Sequence, residues 1–325
     1  MRKLLVSFFL LLLLSIFTFD AHAQDLVRMG NMNFAHYGAV SYMSEVCGKY
    51  GIKIQEKIFP RGIDIMPAII AGDIDIAASA ADAAVAGRAA GAPIFAVAGF
   101  AKGGVRIVVR ADSKIESIAG LKGMKVGVTK GGAQELLLLA EISGANLTWA
   151  HQPGKDVQVI YMGYDELNKA LQSGRIDAMA QSEPQASRSI NLHFGRELLK
   201  PYNTPMGSPV RTLVMTEDLY NNKKPLAQRV LKCFVESTKT FLEKPQLAEK
   251  YVRAKMFKGQ ISTQDYADAI GNSPFTYDLT IEHIQITTDM MQKYGVGKMK
   301  SPPQASTWVR LDLLANAKKE LGVVD

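Results

Sequence analysis

The sequence has only two cysteines, Cys47 and Cys233, and five histidines in 325 residues. The histidines stand singly, and no cysteine or histidine lies at a metal-ligand interval from another, so we expect no metal site. Both cysteines fall in segments with a helical pattern, far apart along the chain. An oxidising compartment permits a disulfide between them, but isolated buried thiols are common, and we favour two separate thiols.

Basic runs interleaved with aromatic residues are also absent, as are the signatures of several enzyme classes. The net charge of +7 comes from scattered lysines and arginines, so we expect no nucleic-acid partner. A positive charge fits an anionic small ligand better. The chain has no phosphate-binding loop with Lys-Ser or Lys-Thr, no nucleophile elbow and no paired zinc histidines. We therefore expect a binding protein rather than an enzyme, with no cofactor.

Long hydrophobic runs are rare, and the one that occurs lies at the start of the chain. Arg2 and Lys3 precede an apolar stretch from Leu4 to Phe19, which ends in the pattern Ala21-His-Ala23 before Gln24. This arrangement is typical of a secretory signal peptide, residues 1–23. No cysteine follows the cleavage pattern, so we expect no lipid anchor. The mature protein is expected outside the cytoplasm.

A short segment occurs twice, as Ala68-Ile-Ile-Ala-Gly-Asp-Ile-Asp-Ile-Ala77 and as Ala170-Leu-Gln-Ser-Gly-Arg-Ile-Asp-Ala-Met179. In each copy an apolar helical stretch ends at a glycine, and an Ile-Asp pair opens a short buried strand. A helix that starts beyond the carboxyl end of a parallel strand is where α/β folds hold ligands. Two such units predict two lobes with a cleft between them.

Strand and helix patterns alternate in both halves of the chain. Strands are predicted at 26–32, 52–58, 74–78, 125–129, 157–161 and 178–181, and helices at 35–50, 63–71, 133–143, 164–173 and 225–242. Right-handed crossovers predict two largely parallel sheets. Strands that begin at Val105 and Val210 are interpreted as crossings that form a hinge. Lobe 1 is therefore predicted at 24–102 and 208–325, and lobe 2 at 103–207.

Taken together, these segments resemble the nitrate, sulfonate and taurine family of periplasmic substrate-binding proteins that serve ABC importers. The likeness rests on the order and spacing of Ala71-Gly-Asp-Ile-Asp-Ile-Ala77, Gly91-Ala-Pro-Ile94, Ile107-Val-Val-Arg110, Leu121-Lys-Gly-Met-Lys-Val126, Leu136-Leu-Leu-Leu139, Gly174-Arg-Ile-Asp-Ala178 and Glu183-Pro184. The resemblance implies an α/β, two-lobed fold of the type II periplasmic-binding-protein class, with two sheets joined by a two-strand hinge. It also implies a small-molecule ligand and an inner-membrane ABC permease as partners.

The stretch after the strand at 125–129 is the strongest candidate for ligand binding. Two glycines there expose successive backbone N–H groups just before a long helix, and such groups attract an anion. A tight turn without a ligand role is the alternative, and Glu135 in the first helical turn would compete with a bound anion. The candidate residues of this stretch are Thr129, Gly131, Gly132, Ala133 and Gln134.

Two acidic residues also follow predicted strands. Ser79 and Asp82 have the spacing of a capping box, so Asp82 either caps the next helix or accepts a hydrogen bond from a ligand amine or hydroxyl. We favour the cap. Glu183, beside Pro184, suits a helix start, and for this residue the capping and ligand roles both remain open.

Aromatic and basic residues complete the candidate site. Asn33, Phe34, His36 and Tyr37 follow the first strand and should line the rim of the cleft, where aromatic faces could cover a ring or an alkyl chain. Plain core packing and a capping or surface histidine are the alternatives.

Arg106 and Arg211 each occupy the second position of a predicted crossing strand. If those strands are neighbours, both guanidinium groups could face the cleft and bind a carboxylate in a bidentate fork. Ion pairs with Asp82 or Glu183, or simple exposure, are the alternatives.

These observations predict a monomeric periplasmic binding protein that closes over a small organic anion. A sulfonate or a carboxylate is the preferred ligand, ahead of nitrate. A binder of a neutral pyrimidine or thiamine precursor, an enzyme on the same fold and a sensor that partners a membrane receptor are the alternatives.

Overall fold

The computed structural model describes residues 24–323, and the predicted signal peptide lies outside them. This part of the chain contains eleven strands: β1 (Asp25–Asn31), β2 (Ile52–Ile58), β3 (Ile76–Ala80), β4 (Ile94–Lys102), β5 (Val105–Arg110), β6 (Lys125–Val128), β7 (Trp149–Ala150), β8 (Val157–Tyr161), β9 (Ala178–Ser182), β10 (Gly195–Leu199) and β11 (Val210–Thr216). Sheet A has the order β2-β1-β3-β11-β4, and sheet B has the order β10-β5-β9-β6-β8-β7.

Residues 24–323 also contain thirteen α-helices: α1 (Gly38–Ser41), α2 (Met43–Val46), α3 (Gly62–Ile70), α4 (Ala81–Ala89), α5 (Ala133–Gly144), α6 (Tyr164–Gln172), α7 (Gln185–Asn191), α8 (Glu217–Asn222), α9 (Lys224–Glu243), α10 (Pro245–Tyr251), α11 (Thr263–Asn272), α12 (Ile281–Tyr294) and α13 (Asp312–Glu320). Short 3-10 helices lie at Ala35–Tyr37, Cys47–Tyr50, Ile118–Leu121, Val296–Lys298 and Ala305–Thr307, and a π-helix lies at Val252–Met256.

Each sheet is built mainly from strands that alternate with helices along the chain. In sheet A, β1 pairs in parallel with β2 and β3, and in sheet B, β6 pairs in parallel with β8 and β9. Close packing of helix on sheet requires glycine at one position, because a Cβ on Gly30 would lie 2.9 Å from a methyl carbon of Ile65 on α3. The predicted α/β fold with two sheets is confirmed.

The sheets are largely parallel, as predicted, but neither is wholly so, because one strand in each runs opposite to the others and makes the sheet mixed. The strand β11 runs antiparallel to β3 and β4, and β5 runs antiparallel to β9 and β10. Both β5 and β11 enter their sheets directly from the other sheet, at the edge where the parallel strands end. A strand that enters at that edge must run away from it, opposite to its neighbours. The predicted single helix at 35–50 is wrong, since four short helical segments replace it.

Two connections join the sheets. The first is the pair Gly103 and Gly104, with φ values of +73° and +81°. A Cβ on Gly103 would lie 2.3 Å from the carbonyl oxygen of Asn272, so this turn requires glycine for its conformation and for its space. The second connection runs from residue 200 to residue 209. Strands of 24–102 and 208–323 form sheet A, and strands of 103–207 form sheet B.

The C-terminal helices pack across the two sheets. Helix α9 packs on α1, α2 and α13, whereas α12 contacts both α4 and α5, and α11 contacts α7. The main buried cluster therefore continues from sheet A to sheet B. Our preference for two separate thiols is wrong, because a disulfide joins Cys47 to Cys233 and ties the segment before β2 to α9. Within residues 24–323, none of the helices has the length and apolar character needed to cross a membrane.

Candidate ligand-binding cleft

A small cavity lies between the two sheets, at the carboxyl ends of their parallel strands. It encloses about 20 Å³, which is room for roughly one water molecule. Residues from both sides line it: Met32, Phe34, His36, Tyr37, Gly62, Ala80, Ala83 and Arg211 from the sheet A side, and Gly131, Gly132, Gln134, Tyr164 and Ser182 from the sheet B side. This cavity is called the inner cavity below.

An open groove of about 790 Å³ lies outside the inner cavity and shares two of its walls, Phe34 and Tyr164. The two rings meet edge to face with centroids 5.0 Å apart. Since one ring belongs to each side of the cleft, their contact separates the inner cavity from the groove. Asn33 lies in this groove, at the predicted rim position.

Arg211 is the most unusual residue of the inner cavity. Its side chain is 2% exposed, and its Nε donates to Nε2 of His36 at 3.3 Å. Its Nη1 has no hydrogen-bond partner among the described residues, and no carboxylate of residues 24–323 forms an ion pair with it. A buried charge without a partner is costly. An anion placed in this cavity would remove that cost.

His36 is held by the same contact. Because its Nε2 accepts from Arg211, the neutral ring carries its proton on Nδ1, which is buried without a partner in the described part of the chain. Burial, with a further contribution from Arg211, holds the pKa of His36 well below its usual value. The imidazole is therefore an uncharged donor, stacked on Phe34 and packed against the edge of Tyr37.

The predicted capping box of Ser79 and Asp82 is wrong. Ser79 still belongs to β3, and its hydroxyl donates to the carbonyl oxygen of Ala80. Helix α4 begins at Ala81, so Asp82 is one residue too early to complete the box. Its carboxyl is 2% exposed, and Oδ1 has no partner within residues 24–323. Burial raises the pKa of Asp82 to about 7, although Arg211 acts to lower it.

The glycine turn before α5 lies at the cavity as predicted, but one of its donors is already used. The N–H of Gly131, which has φ of +76°, donates to Oε2 of Glu135 at 2.7 Å. The other oxygen of Glu135 accepts from the hydroxyl of Tyr161. Beyond Gly131, Gly132 caps the helix and Ala133 opens it, so the amides of the first turn lack partners within the helix.

Two neighbours of this turn are polar and buried. The side-chain oxygen of Gln134 accepts from the hydroxyl of Tyr164 at 3.3 Å. The hydroxyl of Thr129 is buried and has no partner among the residues described. Tyr164 itself was missed in the sequence, where it was interpreted only as a helix start. It follows β8, and the same rule that pointed to Gly131 could have found it.

Arg106 and Glu183 lie together outside the inner cavity. Arg106 donates to Glu183 and Glu197 and to the carbonyl oxygen of Asp268. Glu183 is fully buried, and it also accepts from the N–H and hydroxyl of Ser187 at the start of α7. These groups satisfy one another. The strands that carry Arg106 and Arg211 lie in different sheets, so they are not the neighbours that the sequence suggested.

The chain matches the family model described as NMT1/THI5 like over residues 49–248. It is 23% identical over 238 residues to a Brachyspira hyodysenteriae protein provisionally named an ABC transporter periplasmic binding protein, with 68% of this chain and 67% of that protein covered. It is 30% identical over 172 residues to a Bacillus subtilis protein provisionally named an aliphatic sulfonates-binding protein, with 52% of this chain and 50% of that protein covered. The match to the second relative thus spans half its length.

Among solved structures, the periplasmic aliphatic sulphonate binding protein SsuA from Escherichia coli superposes with a TM-score of 0.74 at 22% identity, with 88% of this chain and 92% of that chain covered. This likeness confirms the periplasmic-binding-protein fold. The resemblance to the nitrate, sulfonate and taurine group of periplasmic substrate-binding proteins is confirmed by the same relatives. Because the family model covers more than half of its residues, this chain belongs to the NMT1/THI5-like family.

Proposed function

We propose that this protein is the solute-binding component of an ABC importer, and that it holds a small organic anion, a sulfonate or a carboxylate, between its two sheets. Residues 24–102 and 208–325 act as lobe 1, and residues 103–207 act as lobe 2. The protein acts as a monomer in the periplasm and delivers its ligand to an inner-membrane permease. The names of the relatives support this role.

One observation carries the choice of an anion. Arg211 is buried at the cavity with a neutral histidine as its neighbour and with an unpartnered Nη1 in the described part of the chain. A ligand sulfonate or carboxylate would supply the missing acceptor, and a charge-assisted bond of this kind is among the strong ones. No covalent step is needed, because binding requires only fixed donors and the exclusion of water.

The residues around the inner cavity also indicate how the two lobes would close over a ligand. Phe34 and Tyr164 belong to opposite lobes and meet over the inner cavity. Since this cavity has room for roughly one water molecule, a ligand can enter only when the lobes move apart and widen it. Gly103 and Gly104, with the connection 200–209, are the segments where small changes of dihedral angle would move one lobe relative to the other. A ligand that contacts both lobes favours the closed form.

The test uses the mature chain, 24–325, with its disulfide intact, after unfolding and refolding to remove carried-over ligand. Thermal melts are recorded with methanesulfonate, ethanesulfonate, propionate, benzoate, nitrate and cytosine. An anion present at about 100 times its Kd should add roughly 2.7 kcal/mol of stability. The radius of gyration in solution should fall when that anion is added. Melting points that rise with cytosine and with none of the anions would contradict the proposal, and chemical turnover of a bound compound would indicate an enzyme.

A further inference from the structure

Arg211 and His36 form a buried pair in which only one side chain carries a charge. His36 is fully buried, and its Nε2 accepts from Nε of Arg211 at 3.3 Å. Burial lowers the pKa of His36, and the imidazole is therefore uncharged. A neutral acceptor holds one nitrogen of the guanidinium without neutralising its charge. A carboxylate in the same place would do both, as Glu183 does for Arg106.

The ring of His36 is confined by three neighbours. It stacks on Phe34, with centroids 5.7 Å apart and planes 18° apart, and it meets Tyr37 in an edge-to-face contact with centroids 5.0 Å apart. The third neighbour is the turn between the sheets, because a Cβ on Gly104 would lie 3.2 Å from Cε1 of His36. These contacts fix the direction of Nε2, and with it the position of the Arg211 guanidinium.

The contact with His36 also determines which nitrogens of Arg211 a ligand can reach. Because Nε already donates to His36, an acid group cannot form a two-point contact that uses Nε. Nη1 is buried and has no partner among the described residues. Both side chains line the inner cavity, so an acid group that enters it must approach the end of the guanidinium that carries Nη1.

We propose that His36 is a positioning residue: as a neutral acceptor on Nε, it orients Arg211 toward the inner cavity and leaves the charge and Nη1 of this arginine for an anionic ligand. This inference rests on the proposed function, because it assumes that an anion binds at Arg211. It adds the residue that keeps this arginine in place without cancelling its charge.

The test uses three variants that separate the acceptor, its charge and its reach. His36→Gln places an amide oxygen near the position of Nε2, His36→Glu places a carboxylate there, and His36→Asn reaches only as far as Nδ1. Calorimetric titration measures Kd for methanesulfonate, ethanesulfonate, propionate and benzoate. His283 provides the matched control, because its Nε2 accepts from the N–H of Val210, the residue before Arg211.

The expected order of affinity follows from the acceptor that each variant offers to Arg211. His36→Gln should bind within about threefold of the wild type, because a neutral acceptor remains. His36→Asn should bind about 10-fold to 100-fold more weakly, because a hydrogen bond to a charged group is lost. His36→Glu should bind at least about 100-fold more weakly, because its carboxylate neutralises the arginine and repels the anion.

Two further readouts identify the cause of the loss in His36→Glu. Without ligand, this variant should unfold at a higher urea concentration than His36→Gln, because an internal ion pair replaces an unpaired buried charge. His283→Gln and His283→Glu should both bind within about threefold of the wild type. If His283→Glu weakens binding as much as His36→Glu, the net charge is responsible and the inference is wrong.

The outcomes separate the inference from the proposed function. If the wild type binds none of the four anions, the proposed function fails and the inference fails with it. If the wild type binds and all three variants at position 36 bind equally well, the inference is wrong and the proposed function stands. Binding that is kept in His36→Asn and lost in His36→Gln would mean that His36 contacts the ligand directly through Nδ1. Circular dichroism melts check folding, and the comparison of His36→Gln with His36→Asn decides even if His36→Glu does not fold.

Discussion

Arg106 and Arg211 occupy equivalent places, yet their surroundings are opposite. Each is the second residue of a strand that begins at the ligand-side edge of its sheet. Arg106 bonds to two carboxylates and one carbonyl oxygen, whereas Arg211 bonds to a neutral imidazole and has an open Nη1 among the described residues. The same Val-Arg pattern thus produces one arginine that is paired with carboxylates of the protein and one whose Nη1 has no partner in the described part of the chain.

The difference comes from the neighbouring strands. The neighbours of β5 are β9, which leads into Glu183, and β10, which carries Glu197. The neighbours of β11 place Ala80 and Ala101 opposite Arg211. Acids beside one arginine and alanines beside the other determine which of them is neutralised by the protein itself.

The largest effect is expected from Arg211→Met. Loss of this guanidinium should weaken binding of the preferred anion by about 4 kcal/mol, on the order of a thousandfold, because a buried charge pair loses one partner. Without ligand, the free energy of unfolding should stay the same or rise, since an unpaired buried charge is removed. Calorimetric titration and urea unfolding measure the two quantities. Arg211→Lys, which keeps the charge but loses the fork, should bind with intermediate affinity.

An Arg211→Met protein that binds the anion within about threefold of the wild type would place the anion elsewhere, since that is under about 1 kcal/mol. The assignment of opposite roles to the two arginines would then be wrong.

The second effect concerns stability. Arg106→Met leaves the fully buried Glu183 without its cationic partner, and such a loss costs about 3 kcal/mol of unfolding free energy. Binding of the anion should change much less than in Arg211→Met. Urea unfolding gives the stability, with Glu197→Gln as the control. Because the side chain of Glu197 is 33% exposed, that control should lose less than about 1 kcal/mol. A stable Arg106→Met protein that no longer binds would reverse the two roles.

The sequence was sufficient for most of the fold because local signals agreed with tertiary packing. The repeated glycine and Ile-Asp segments, with regular alternation of strand and helix, located β1, β2, β3, β6, β8 and β9 to within about two residues. The two-residue parallel strand β7 was missed. The antiparallel direction of β5 and β11 was missed because it depends on where the chain enters the other sheet. The disulfide was missed because only the fold brings Cys47 and Cys233 within reach, with Cα atoms 5.2 Å apart.

The site could be predicted by location but not by role. Residues that follow parallel strands do meet at one cavity, as expected for Phe34, Gly131 and Gln134. Which polar group is left open depends on contacts between distant segments. The bond of Glu135 to Tyr161 and the unpartnered Nη1 of Arg211 among residues 24–323 arise from packing that no local pattern encodes.

The third effect is a dependence of stability on pH, and it comes from Asp82, which lies near Arg211. The pKa of Asp82 is raised from 3.8 to about 7, so the native state holds this proton more tightly than the unfolded state does. The contribution of Asp82 to stability is full below its unfolded pKa and is lost as pH rises through its folded pKa. Between pH 5 and 7 the ligand-free wild type should lose about 2 kcal/mol relative to Asp82→Asn. Urea unfolding of both proteins at several pH values measures this difference.

His36 provides the opposite slope in the same region. Its folded pKa is lowered by burial, so its contribution to stability is present above its unfolded pKa and is lost as pH falls. The difference between wild type and Asp82→Asn removes this background, because both proteins keep His36. Other charged or titratable groups that face Asp82 are Arg211, Glu135, Tyr37 and Tyr164. If the difference in unfolding free energy between the wild type and Asp82→Asn does not change between pH 5 and 7, the carboxyl of Asp82 is not shielded from water.

The smallest effect is expected at Tyr202, and it tests whether the contacts near Arg106 serve only the stability of the fold. The hydroxyl of Tyr202 accepts from the N–H of Val105 and bonds to the side chain of Asn272, next to the turn at Gly103. Tyr202→Phe should therefore lose about 1 kcal/mol of unfolding free energy. If this region is purely structural, binding of the anion should be nearly unchanged in the same variant. A larger change in Kd than in stability would mean that the contacts around Tyr202 differ between the open and closed forms, because only a contact made in one form can shift the balance between them. Arg106 would then take part in lobe closure, whereas Arg211 would bind the anion. Both arginines would have a function, but in different steps.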